Sequence, residues 1–222
     1  MTMLSGLLGR KLGMTQIFTD TGDVVPVTVL EVGPGFVVQK KNVETDGYES
    51  VQLGFNFSKP GAKVNLNSPT KGKLKKAGLE NEILTHFREF RIINGSEYTV
   101  GQKVVCDFFN EGEKVDVTGI TKGRGFTGGM KRHNWSGQPK THGSMMHRRP
   151  GGIGASADPS RVFKGKDLPG QYGATQTTVL GLTVRKVDTE KNLVLIEGAV
   201  PGHNSGIVVL KKSVKTKKEV KK

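Results

Sequence analysis

The chain has 222 residues, of which 34% are hydrophobic and 31 are glycine, and it carries 34 Lys and Arg against 20 Asp and Glu for a net charge of +14. Its single cysteine, Cys106, excludes an intrachain disulfide framework and a cysteine-based metal cluster. No run approaches the ~18 apolar residues of a membrane-spanning helix, and the opening residues lack a signal-cleavage pattern, so the expected setting is a reducing cytoplasm with no membrane contact.

Residues 1–57 read as β structure. In VVPVTVLEV (Val24 to Val32), Val25, Val27 and Val29 alternate with Pro26, Thr28 and Leu30. Both sides are fairly apolar, as expected of a strand in a closed sheet. Turn signals fall at TDTGD, VGPG and ETDG, and YESVQLGFNF continues as a strand. Short strands at this spacing predict a sandwich or barrel.

Composition changes at Ser58, where Lys59, Lys63, Lys71, Lys73, Lys75 and Lys76 precede the first acid, Glu80. A short helix is predicted over Thr70 to Ala77, stopped by Gly78. The stretch 58–93 reads as a small inserted α+β subdomain. Strand-like sequence returns in EYTVGQKVVCDFF, with Cys106 as a small strand residue, and in EKVDVTGIT. The next 51 residues, 122–172, show neither helical nor strand periodicity. TQTTVLGLTVRKV, LVLIEGAV and GIVVLKK then complete the β pattern. The expectation is a mainly β protein: a barrel scaffold from 1–57, 94–121 and 173–210, an insertion at 58–93, a long loop at 122–172 and a basic tail at 211–222.

The charge is not spread evenly. Residues 122–172 hold ten bases and two acids, the tail holds seven lysines and Glu219, and the remaining 17 bases and 17 acids cancel. Two concentrated basic segments on a neutral body suit a polyanion. The internal segment also holds eleven glycines together with Phe126, Trp135, Met145, Met146, Phe163 and Tyr172. Glycine permits close backbone approach, aromatics and Arg stack on bases, and Lys and Arg meet phosphates. The candidate nucleic-acid contacts are therefore Lys122, Arg124, Lys131, Arg132, Lys140, Arg148, Arg149, Arg161, Lys164 and Lys166, joined by His133, Trp135, His142 and His147.

Gly123, Gly125 and Gly128 form a G-x-G-x-x-G pattern, the mark of a dinucleotide turn. That fingerprint needs a strand before it, a helix after it and an acid about 20 residues on. VDVTGI supplies the strand. GGMKRHNWSGQPK is a poor helix sequence, and His147, Arg148 and Arg149 stand where the acid should be. The spacing of His133, His142 and His147 matches no metal-ligand pattern, and THGS (Thr141 to Ser144) lacks an oriented acid for a triad. No catalytic residue, metal, cofactor or small-molecule substrate is assigned.

These motifs in order resemble one family over nearly the whole chain: the large-subunit ribosomal protein L-three family, in its bacterial form. GLLGRKLGMTQIF resembles the family's opening, VDVTGITKGRGFTGGMKRHNW the entry to its long loop, THGSMMHRRPGGIG and RVFKGKDLPGQYG the loop's middle and exit, and Val200-Pro201-Gly202 with the lysine tail its end. The resemblance implies a translation-protein-type β-barrel with an α+β insertion. It implies a structural, non-enzymatic protein that binds 23S rRNA early in large-subunit assembly, beside other large-subunit proteins. It implies that the long loop reaches toward the peptidyl transferase centre, with its tip at Gly154, Ala155, Ser156, Ala157 and Asp158. Some relatives carry a methylated Gln at that tip; Ala-Ser-Ala-Asp here offers none. The loop's composition alone also fits a DNA- or RNA-binding barrel outside the ribosome.

Overall fold

The computed structural model describes residues 3–57, 64–93 and 98–213. In chain order the elements begin with β1 (Met3–Leu4), β2 (Gly6–Phe18), β3 (Val24–Glu31), β4 (Gly35–Lys41) and a one-turn α1 (Val43–Asp46). β5 (Ser50–Phe55), α2 (Ser68–Lys76), β6 (His86–Ile93), β7 (Lys103–Val104) and β8 (Lys114–Ile120) follow. Then come β9 (Phe126–Thr127), α3 (Gly129–His133), β10 (Gly170–Gln171), β11 (Gln176–Asp188), β12 (Leu193–Glu197) and β13 (Ile207–Lys212). The protein is mainly β.

Six strands close into a ring in the order β11-β12-β3-β2-β13-β8, with β8 pairing back onto β11 and every pair antiparallel. β4 and β5 do not enter it. The sequence reading placed 1–57 wholly in the barrel; instead β1-β6-β5-β4-β7 form a second, five-stranded antiparallel sheet. Alternation marks a strand but not its partner, and the partner of β5 is β6, which lies within the stretch read as an insertion.

One core joins ring and sheet. Val115, Val117, Val184, Val194, Ile196 and Leu210 of the ring are fully buried and cluster with Val37, Val51, Leu53, Phe55 and Phe90 of the sheet. The sheet's other face is covered by α2 and the turn after it, through Leu74, Ala77, Leu79 and Leu84 against Val38. This double cover explains why β5 is buried at nearly every position.

Helix α2 starts where Asn67 accepts a hydrogen bond from the Thr70 amide, with proline in its first turn. It ends on Lys73, Lys75 and Lys76, which complement the helix dipole, and Gly78 follows at φ 68°. Cys106 opens a 3₁₀ turn, Cys106–Phe108, and is no strand residue; the thiol is buried, and burial pushes its pKa up. Lys211 and Lys212 belong to β13 and so to the fold, with Lys212 Nζ 3.0 Å from Glu113 Oε1 and over the Phe108 ring. The rest of the expected tail, 214–222, and the start of the expected insertion, 58–63, lie outside the described residues.

Candidate nucleic-acid interface

Thr121–Thr175 forms a compact unit by itself. Its two ends are zipped together. The Thr121 amide donates to Thr175 O at 2.9 Å, the Arg124 amide to Tyr172 O at 2.8 Å and the Tyr172 amide to Gly125 O at 3.0 Å. β9 and β10 extend the ladder, pairing Phe126 with Gln171 and Thr127 with Gly170. Gly173 makes this root possible: it sits at φ 74°, and a Cβ there would stand 2.1 Å from Lys122 O.

A helix does follow the glycine pattern, contrary to the sequence expectation. α3 is five residues long and is closed by Asn134 at φ 58°. Trp135 folds back over its first residue, so that a Cβ on Gly129 would lie 2.1 Å from ring atoms Cε3 and Cζ3. The short helix forms because Gly129 lets the indole pack there, an effect that helix propensity does not register. The His133 ring lies 6.3 Å from that indole, nearly parallel to it.

α3 is then fastened to the returning chain. Arg132 Nη1 donates to Leu168 O at 2.5 Å, while His133 Nε2 lies 3.1 Å from the same oxygen and Nδ1 lies 3.2 Å from Asp167 Oδ1. Arg132 and His133, both expected to meet nucleic acid, are thus engaged within the unit and only half-exposed. Trp135 is half-exposed and lines an open cleft of about 460 Å³ together with Gln138, Arg149, Ile153 and Lys166. That cleft joins an aromatic face to two cations and to Asp167.

The remaining candidates are exposed: Lys122, Arg124, Lys131, Lys140, His142, His147, Arg148, Arg149, Arg161, Lys164 and Lys166. His142 and His147 sit at φ 56° and 38°, and His147 O accepts from the Gln138 amide at 2.7 Å. The tip residues Gly154, Ala155, Ser156, Ala157 and Asp158 are all exposed, with Ser156 at φ 68° and the Ser160 hydroxyl donating to Ala157 O.

Sequence reasoning left several exposed groups off the contact set. Phe126 is 80% and Met145 88% exposed, each without a covering neighbour chain in the unit. Arg124 lies 5.0 Å over the Tyr172 ring, and Arg161 lies 5.6 Å over the exposed Phe163 ring. An aromatic residue between glycines in a basic run was the available signal for Phe126. Burial within the unit is confined to Thr127, Gly129 and Gly173. A segment so poor in core and so rich in outward cations suits a large polyanion.

The sequence model of the family described as Ribosomal protein L3 matches residues 94–192. Among curated proteins, the large ribosomal subunit protein uL3 of Heliobacterium modesticaldum is 51% identical over 212 residues, covering 96% of this chain and 98% of the relative. The uL3 of Halalkalibacterium halodurans is 50% identical over 215 residues, covering 97% and 100%, and that of Geobacillus stearothermophilus 50% identical over 219, covering 99% and 100%.

The chain belongs to the ribosomal protein L3 family.

Members of this family are structural and non-enzymatic. Among the described residues no helix is long and apolar enough to cross a membrane.

Proposed function

We propose that the chain is a structural constituent of the large ribosomal subunit that binds 23S rRNA directly, early in assembly, with the stretch 122–172 as its principal RNA-contacting arm. In this reading the six-strand ring is a barrel of the translation-protein type, and the arm reaches toward the peptidyl transferase centre. The observation that carries the proposal is the Thr121–Thr175 unit, which is almost without buried side chains and presents nearly all of its cations to the outside. Family membership supports the ribosomal setting.

The exposure of these groups supports a division of labour within this reading. Lys122, Arg124, Lys131, Lys140, Arg148, Arg149, Arg161, Lys164 and Lys166 neutralise phosphates. His142, His147 and the Trp135 cleft meet bases or sugars. Arg132 and His133 hold α3 against Leu168, so they act by keeping the arm in shape. Other large-subunit proteins are its neighbours in the particle.

The test is sedimentation of tagged full chain from cells in high salt. Co-migration with large subunits, together with crosslinks to 23S rRNA, is the expected result. Crosslinks scattered over messenger RNAs or DNA, with no large-subunit peak, overturn it.

A further inference from the structure

The β2–β3 hairpin outruns its neighbours. β13 pairs with β2 no further than Arg10, and β12 pairs with β3 only from Val27 onward. Between these points the hairpin is a two-stranded ribbon whose register sets Met14 opposite Thr28, Gln16 opposite Pro26 and Phe18 opposite Val24. Directly opposed residues share a face.

The two faces of the ribbon differ. One carries Thr15, Ile17, Val25 and Val27, with Val25 and Val27 buried, Ile17 half-buried and Thr15 exposed. On the other, Thr28 is covered by the turn after β12, to whose Gly198 O it donates at 2.7 Å. Past that cover the same face is bare: Met14 is 52%, Phe18 68% and Val24 54% exposed, and Pro26 and Gln16 are exposed beside them. The turn at its end is braced, with the Thr19 amide donating to Asp23 O at 3.0 Å and the Thr21 hydroxyl to Asp23 Oδ2 at 2.8 Å. The face is therefore held in shape while open to solvent.

Its charge is opposite to the rest of the molecule's excess. From Leu12 to Gln39 the chain contains no Lys, Arg or His, and the turn adds Asp20 and Asp23. A largely apolar face to which its own strands bring no cation, and whose turn brings two carboxylates, is a poor site for phosphates. It complements a protein surface that is apolar at its centre and basic at its rim.

We infer that this face of the β2–β3 hairpin is a protein-docking surface for a basic neighbour in the particle, with Phe18 and Val24 as its anchors. The inference rests on the ribosomal reading above and assigns the hairpin a partner different from that of the basic arm.

The experiment places a photoreactive phenylalanine analogue at position 18 of the full chain and irradiates purified large subunits that contain it. The expected adduct joins this chain to one basic protein of the subunit, identified by mass spectrometry. An adduct with rRNA or with a second copy of this chain, or no protein adduct, overturns the inference and leaves the ribosomal reading standing. Absence of the chain from large subunits overturns both. The double variant Phe18→Ser, Val24→Thr, checked for an unchanged melting transition, supplies the second measurement. Its particles should lose that neighbour by about threefold or more, while affinity of the free chain for rRNA changes by less than about twofold. Full occupancy of the neighbour, or a matching loss of rRNA affinity, sinks the idea.

Discussion

Lys11 shows how one buried cation can organise a turn. It is 7% exposed, and its Nζ donates to Val200 O at 2.8 Å and to Gly202 O at 3.4 Å. Its backbone also bonds to Ser205 and Gly206, so β2 grips the whole 200–206 turn. Replacing Lys11 by Met leaves buried carbonyls without this donor, and stability should fall by roughly 1–3 kcal/mol, read by urea titration. A smaller network governs the sheet's response to acid. The Tyr48 hydroxyl, at 2.7 Å, and the Lys41 ammonium, at 3.0 Å, hold the Glu89 carboxyl below its ordinary value of 4.5. A lowered native pKa adds stability above the unfolded value and loses it as pH falls through the native one. The stability difference between the protein and its Glu89→Gln variant should thus be present at neutral pH and shrink below pH 4.5. It should be small, because the pair is partly exposed. A difference that grows on acidification would contradict this account.

Among the elements, those with a local cause were legible in the sequence. Gly78 marks the end of α2, which was expected over Thr70 to Ala77 and begins two residues earlier, at Ser68, and the alternation of Val25 and Val27 foretells β3. The partition into two sheets was not legible, because β5 and the ring strands share one composition and differ only in partner. The α3 turn was hidden for a different reason: its stabilising contact is Trp135 on Gly129, which propensity does not encode. Since Trp135 is the only tryptophan, fluorescence reads this element alone. Gly129→Ala should displace the indole and shift its emission, while the far-ultraviolet spectrum of the ring and sheet stays the same. An unshifted emission would mean that the indole does not rest on Gly129.

For the whole molecule, the site was readable as a charge distribution before it was readable as a structure. Concentration of cations marks 122–172 as the proposed arm, and the fold adds that Arg132 and His133 are already engaged within it. Six to ten phosphate contacts should cost the complex roughly 10³–10⁵ in affinity between about 50 and 200 mM salt on duplex RNA. Arg148→Ala or Lys164→Ala should lower the salt slope by about one contact, whereas Arg132→Ala should instead disturb Trp135 fluorescence. Excising 122–172 and joining its ends with a short turn should leave the ring folded, because Ile120 and Gln176 already pair. The shortened chain should enter subunits poorly. An unfolded product would show that the arm is needed for the core.

The pairing of β13 has a consequence for synthesis. β13 bonds to β2 on one side and β8 on the other, so the ring is completed by a strand near the carboxyl end of the described chain. On a nascent chain, β8 and the entire basic stretch therefore emerge before either partner of β8 is made, and once β11 and β12 have joined, the ring is still a curled sheet with two unsatisfied edges, β8 and β2, until β13 arrives. For that interval the open edges and the basic stretch are exposed together; the last few residues of β13 close the edges and leave the cations outside.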